Sequence, residues 1–330
     1  MTSMRFRLAL PIALLALALL APSGAQAASR YKVGIGDQSV SVFGDPLFQA
    51  LKLKRIRYIV PWNWNADATQ EAEVRGYLTA ARAARFEPFV TFTAARGCWT
   101  GAVYRRTKAC RAPSASAYTK RFKAFRRAFP TVKVFSAWNE ANHKSQPVYK
   151  SPRKAAQYYN AMRKACRSCT IVALDLLDSS NMSRYFQSFK RSAKGNPKIW
   201  GLHNYGDANG LKVRSTPRLL AITRGKIWFT ETGGVVLRRD YRGRKVLRTY
   251  RYSLRHAAAS TKHALKLSCL SPRITRIYLY HWQPPWKVTN WDSGLVDRRG
   301  RPRPAFTVVR KWLSRAARAS RRGGRRALCR

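Results

Sequence analysis

The chain has 330 residues, with 65 lysines and arginines against 14 aspartates and glutamates, a net charge of +51. Its 45% apolar and 12% aromatic content supports a large core, and no internal repeat or long linker divides it, which excludes a disordered polycation and a repeat solenoid. No stretch after the first 27 residues is long and apolar enough to cross a bilayer, so a multi-spanning membrane protein is excluded too.

In chain order, Arg5 and Arg7 precede an apolar run from Leu8 to Ala21, and Ala25-Gln26-Ala27 supplies a small-x-small cleavage pattern. That is the anatomy of a secretory signal, too short and wrongly flanked for a comfortable membrane span. Residues 1–27 are expected to be a leader, so that the mature chain starts near Ala28 and is secreted or associated with the cell envelope. Strand-like runs follow at Lys32–Gly36, Arg55–Val60, Pro88–Thr93 and Val132–Trp138, then at Thr170–Leu174, Ile199–His203, Lys226–Thr230 and Ile274–His281. Helix-like segments separate them, among them Ala72–Ala84, Ala115–Ala128, Arg153–Ala165, Met182–Lys190 and Tyr252–Leu267, with a last one at Pro304–Ala316. Asp45-Pro46, Ser114, Ser151-Pro152, Thr216-Pro217 and Arg303-Pro304 place a cap or an early proline where a helix should begin.

Eight β-then-α units in sequence argue for parallel strands with helical crossovers. Eight is the closing number of a (β/α)8 TIM barrel, and apolar strands such as IVALDL and KIWFT suit burial on both faces. A doubly wound open sheet should carry a glycine-rich phosphate turn after an early strand, and GIGDQ at Gly34 is a poor match to it. A single α/β barrel over residues 28–316 is expected, followed by a basic tail, 317–330, that contains RRGGRR and reads as flexible. The six cysteines suit export, and Cys98 with Cys110, Cys166 with Cys169 and Cys269 with Cys329 are the local pairing expected, although other connectivities are open. No second pair completes a four-ligand metal site around the C-x-x-C.

Catalytic residues of a barrel gather where strands end, on its C-terminal face. The chain has five glutamates. Glu71 and Glu73 fall at the start of an early helix, where acids interact well with the helix dipole, and Glu87 precedes a strand. The other two end strands four and seven, in Ser136-Ala-Trp-Asn-Glu140 and Trp228-Phe-Thr-Glu231-Thr-Gly-Gly. Glycoside hydrolysis needs two carboxyls flanking one bond, one protonated to release the leaving oxygen and one ionised to attack or activate water. Salt-bridge partners for nearby arginines are the plain alternative for both glutamates.

Trp138-Asn139-Glu140 and Thr230-Glu231 together resemble the paired signature of clan A glycoside hydrolases, in the manner of the family 5 and family 39 barrels. The resemblance spans essentially the whole mature chain. It implies a retaining hydrolase of β-glycosidic bonds with Glu140 as acid/base and Glu231 as nucleophile. Arg57, in IRYIVPW, resembles the clan's arginine that approaches and favours the ionised nucleophile. Asn139 resembles the residue that hydrogen-bonds the sugar 2-hydroxyl. His203 and Tyr205, in GLHNYGD, resemble the pair lining the site, and Trp282, in YLYHWQ, the sugar-stacking platform. The stretch from Gly294 to Ala305 is similar to the clan's closing turn into the last helix, and a purely structural role is preferred for it. The clan's clefts usually hold more acids than this chain supplies, which leaves the substrate open.

Retention requires the carboxyls to lie about 5–5.5 Å apart. Burial and ionised Glu231 are expected to keep Glu140 protonated. No metal or organic cofactor is called for. Trp62, Trp64, Trp99, Trp138, Trp282, Trp286 and Trp291 fall at strand ends or in the loops beyond, where aromatic faces suit pyranose rings, although such rings also roof a barrel. Two other readings stand beside the hydrolase: a non-catalytic glycan-binding barrel, and a basic envelope protein that binds polyanions through its charge. Against the last, a solvated basic face explains the charge equally well, and no base-reading motif is present.

Overall fold

A computed structural model describes residues 32–100, 103–104, 107–240, 245–247, 250, 252–286, 290–321 and 324–329; the expected leader, residues 1–27, lies outside them. Eight parallel strands make the frame: β1 Lys32–Gly36, β2 Arg55–Pro61, β3 Glu87–Thr93, β4 Val134–Ser136, β5 in two halves at Thr170–Val172 and Asp175–Leu177, β6 Ile199–His203, β7 Lys226–Thr232 and β8 Ile274–Tyr280. Each strand pairs with its neighbours in sequence, and β1 pairs with both β2 and β8. The first half of β5 pairs with β4 and the second with β6. Hydrogen bonds from Ala173 N–H to the Ile199 carbonyl and from Gly201 N–H to the Leu174 carbonyl, each 2.9 Å, carry the pairing across the break. The fold is the (β/α)8 TIM barrel that the alternating pattern predicts.

The helices outside the ring are α1 Pro46–Ala50, α2 Ala68–Ala83, α3 Ala115–Ala128, α4 Pro152–Ala165, α5 Met182–Ser192, α6 Tyr205–Asn209, α7 Ser215–Ile222, α8 Leu254–Leu267 and α9 Pro304–Arg321. Asp45 caps α1 by accepting from Leu47 and Phe48 N–H at 2.8 and 3.2 Å, Asp67 caps α2 through Gln70 N–H, and Ser114 caps α3 through Ala117 N–H. Their apolar stripes face the sheet, as Met182, Tyr185, Phe186 and Phe189 do along α5.

The barrel is filled in layers. Near the strand starts, the Arg276 guanidinium lies 4.1 Å from the Trp228 ring centroid and pairs with Glu87, which also reaches Arg55 at 3.6 Å. Phe89, Val134, Val172, Trp228 and Tyr278 form the apolar layer inside the ring. Gly34 on β1 is glycine for this layer's sake, since a Cβ there would stand 2.7 Å from the Tyr278 ring. Above it the Arg57 guanidinium rests 5.7 Å from the Phe89 centroid, so the polar residues at the mouth stand on an aromatic floor.

All six cysteines are paired, Cys98–Cys110, Cys166–Cys169 and Cys269–Cys329. The last bond corrects the expectation of a flexible basic tail. α9 continues to Arg321, and after Gly324, at φ 63°, a short helix α10 over Arg325–Cys329 folds back. Buried Leu328 and the bridge from Cys329 to Cys269 hold it against the body. Two apolar or covalent anchors within five residues outweigh the repulsion that the arginine run suggests.

Candidate active site

Glu231 sits where β7 is irregular. The pairing of β7 shifts register against β6 between Trp228 and Glu231, and against β8 between Phe229 and Thr232. Such a bulge re-aims a side chain at the end of a strand. Glu231 is gripped at both oxygens: Arg57 Nη1 donates to Oε2 at 2.6 Å and the Tyr205 hydroxyl to Oε1 at 3.0 Å.

Glu140 lies beyond β4 with φ at 44°, the left-handed region that a non-glycine residue occupies at some cost. The backbone on either side is tied down, with Asn139 N–H donating to the Phe92 carbonyl at 2.8 Å and Ala141 N–H to the Asp175 carbonyl at 3.0 Å. β3 and β5 thus hold the turn that points Glu140 at the mouth. One carboxylate oxygen each of Glu140 and Glu231 and one ring nitrogen of His203 lie within 4.8 Å of one another, so the two carboxylates face each other across the mouth. These three residues are also the group that could hold a cation. Arg57 and Tyr205 each take one oxygen of Glu231, so a metal ion there would sit against the positive charge of the guanidinium.

Arg57 organises the layer beneath. Fully buried, it donates to Glu231, to Asn139 Oδ1 at 2.7 Å and to Asp175 Oδ2 at 3.4 Å. Burial works against its charge, and Glu231 and Asp175 more than restore it, raising its pKa. Asn139 is held by its carbonyl oxygen, and its amide nitrogen has no protein partner among the described residues. His203, also fully buried, places Nδ1 3.2 Å from Glu140 Oε1 and 3.8 Å from Glu231 Oε2, and Nε2 3.8 Å from Asp175 Oδ2.

The charges of this cluster favour a proton on the imidazole, although Arg57 Nη2 stands 3.4 Å from its Nε2. Burial opposes the charged ring, but Glu231, Asp175 and Glu140 surround it and push its pKa up to about 9. Burial likewise raises Glu140, yet the hydrogen bond and charge of His203, with His143 and Arg238 behind them, hold its carboxyl down at about 2. The expectation that burial and Glu231 keep Glu140 protonated is corrected here: one imidazole among three carboxylates keeps the proton, 3.2 Å from where the chemistry would use it.

Six of the seven residues singled out in the sequence meet in this cluster: Glu140, Glu231, Arg57, Asn139, His203 and Tyr205. Trp282 does not. Only 1% exposed, it packs on Phe48 and Phe306 and donates from Nε1 to Asp45 at 2.9 Å. β8 ends at Tyr280, the following peptide to His281 is cis, and Asp37 Oδ2 takes the Trp282 and Gln283 N–H groups at 2.9 and 3.3 Å. The chain is thereby drawn toward β1 and the indole into the core. Half-buried Tyr280 stands in the site instead, its phenol pKa raised by burial and by Glu231, Asp37 and Glu140. Trp64 and Trp138 are core residues too, whereas Trp62, Trp286 and Trp291 keep exposed surface; the side chain of Trp99 lies outside the description. Asp175 and Tyr280 escaped the sequence reading, and the one available signal was an acid set inside an apolar strand. In the segment from Gly294 to Ala305, Arg303 grips Asp292 through both guanidinium arms at 2.6 and 2.9 Å.

No protein-family model matches the sequence, and a search of curated proteins finds no match. Among solved structures, a GH5_18 protein from Bifidobacterium longum subsp. infantis superposes with a TM-score of 0.63 at 11% identity, covering 86% of this chain and 79% of that one. Xylanase 10B from Thermotoga maritima gives 0.57 at 15% identity over 87% and 95% of the two chains. A family 39 glycoside hydrolase from Bacteroides cellulosilyticus WH2 gives 0.54 at 14%, over 86% and 64%. At such identities the likeness establishes fold alone. The chain shares the TIM-barrel fold of clan A glycoside hydrolases, and two glutamates stand at its strand ends.

Proposed function

We propose that the chain is an exported retaining glycosidase that cleaves β-glycosidic bonds of a polysaccharide or glycoconjugate. The observation that carries this reading is the pair Glu140 and Glu231, with one carboxylate oxygen of each within 4.8 Å of the other and an arginine and a tyrosine clamped on the second. Glu231 attacks the anomeric carbon as the glycosidic C–O bond breaks, and Glu140 gives the leaving oxygen a proton drawn from His203. Water then attacks the same carbon, the ester to Glu231 breaks, and Glu140 takes the water proton and returns it to the imidazole. Asn139 offers its amide to the sugar. The test is hydrolysis of a panel of aryl β-glycosides and polysaccharides by the wild-type chain and Glu231→Gln. Turnover that disappears in the variant supports the assignment; equal turnover removes Glu231 from the chemistry.

A second binding surface accompanies this site and reaches to the opposite end of the barrel. A groove of about 1320 Å³ runs along α4 from Arg153 to the C-terminal ends of α4 and α5, lined by Arg153, Arg163, Arg167, Arg191, Lys194 and Lys198 and by no acid. It suits an anionic polymer held through its charge, so that the enzyme stays on an acidic matrix while its cleft works. Replacing Arg163, Arg167 and Lys198 with glutamine should weaken binding to a polyanion and flatten its salt dependence, with aryl glycoside turnover kept. Unchanged salt dependence would assign that binding to the rest of the basic surface.

A further inference from the structure

Beyond the cluster around Arg57, a further cation faces the mouth. Arg238 belongs to the short strand Leu237–Arg238, which pairs antiparallel with Trp291–Asp292. Its backbone is fixed on both sides: Arg239 N–H donates to the Asn290 carbonyl at 2.8 Å, and Leu247 N–H to the Arg238 carbonyl at 2.9 Å. The guanidinium is half-buried between two rings, 5.2 Å from the Trp291 centroid and 5.4 Å from that of Tyr250. Trp291 meets Tyr205 edge-on at 4.8 Å, and Tyr205 holds Glu231. Arg238 therefore stands two rings, Trp291 and Tyr205, away from the proposed nucleophile, and its charge also reaches Glu140 and His143.

Two other arginines on this face are already paired. Arg57 is shared among Glu231, Asn139 and Asp175. Asp292, next to Trp291, belongs to Arg303. Among the described residues no carboxylate forms an ion pair with Arg238, whose recorded contacts are the two rings and the Tyr250 hydroxyl. Asp178, whose charge reaches Tyr250, accepts from Asp207 N–H at 2.9 Å, and burial pushes it up to about 6. Beyond its contact with the Tyr250 hydroxyl, the guanidinium has N–H groups left for a carboxylate fork. A half-buried cation without a direct ion pair is a poor resting state, and a ligand anion relieves it.

We propose that Arg238 is a specificity residue that receives the carboxylate of a uronic-acid sugar at or beside the scissile bond, which makes acidic glycans the substrate class of the cleft. The anion also offsets the charge that Arg238 casts on Glu140, so an acidic substrate helps the proton pass from His203 to Glu140. The proposal rests on the glycosidase reading for its turnover arm alone; its binding arm does not.

The binding arm uses Glu231→Gln, titrated calorimetrically with oligosaccharides containing glucuronate, galacturonate or mannuronate and with the same sugars after reduction of each carboxyl to the alcohol. A charge-assisted bidentate contact is expected to favour the best acidic ligand roughly 10-fold or more over its reduced form. Adding Arg238→Gln should abolish that ratio, and Arg238→Lys should keep part of it, with melting temperatures alike in all three. Stronger binding of the reduced sugars, or an acid preference that survives Arg238→Gln, overturns the proposal. In the turnover arm, the ratio of kcat/KM for the acidic over the reduced substrate falls in Arg238→Gln, whereas a merely structural residue would lower both equally. Acid-selective binding through Arg238 without hydrolysis of any sugar would overturn the glycosidase reading and leave this one standing. Hydrolysis with a preference for neutral sugars would do the reverse.

Discussion

His203 and Glu140 share one proton, and that sharing governs how the site responds to pH. Two groups coupled this closely titrate as a pair. The pair holds its proton from about 2, where the Glu140 carboxyl titrates, to about 9, where the imidazole does. Activity should therefore persist into mildly alkaline solution and fall near pH 9 as the proton is lost. His203→Gln removes the strongest influence that holds Glu140 down, leaving burial opposed only by the charges of His143 and Arg238. The alkaline limb of kcat/KM should then move to lower pH by at least about one unit; a limb that stays in place would take His203 out of proton delivery. Stability carries the same sign. Folding raises the His203 pKa above its ordinary 6.5, so its stabilising contribution is complete below that value and is lost as pH rises through about 9. Little of this was legible in the sequence. The motif GLHNYGD marked His203 and Tyr205 as site residues, but the proton's position depends on Asp175, which is hidden in the apolar run IVALDL.

Among the elements, β5 and β6 supply what the motifs do not. Asp175 opens the second half of β5, fully buried, with the Thr230 hydroxyl donating to it and Arg57 and His203 on its other oxygen. Opposite it on β6 stands Gly201, where a Cβ would fall 1.9 Å from Asp175 Oδ1 and 2.8 Å from Thr230 Oγ1. Gly201→Ala should thus cost about 1–3 kcal/mol of stability by overpacking, read from chemical denaturation, and lower kcat by shifting Asp175 away from Arg57. Unaltered stability and activity would mean that Asp175 moves aside freely and does not position the cluster. The strands themselves were legible because a parallel barrel buries both faces and writes each strand as an apolar run. Where the period-two pattern stops, sequence reasoning failed. Trp282 follows Tyr280 by two residues and should share its face in a continuing strand, but β8 ends at Tyr280 and Asp37 captures the chain beyond it. The tail was misread for a related reason: charge dominates residues 317–330, while the anchors that fold it are one leucine and one cysteine.

At the scale of the whole molecule, the two ends of the barrel divide the work in the proposed account. Carboxylates are few in this chain, and the cluster at the strand C-termini gathers three of them, Glu140, Asp175 and Glu231, around two cations, Arg57 and His203. The opposite end presents a groove lined with arginine and lysine and free of acids. The three disulfides, two of them closing short loops and one spanning 60 residues to the tail, suit the exported chain proposed from its leader. The net charge of +51 was plain from composition, but its distribution was not, because a helix pattern shows which face points outward and not which outward faces adjoin. The account's central claim is that Glu231 forms the covalent link. Incubation with 2-deoxy-2-fluoro β-glycosides bearing a good leaving group, chosen for the sugar that is turned over, tests it directly by intact mass and peptide mapping. The account expects one fluoroglycosyl group added per chain, on the peptide containing Glu231 and absent from Glu231→Gln; a label on another residue, or inactivation that leaves no label, would contradict it.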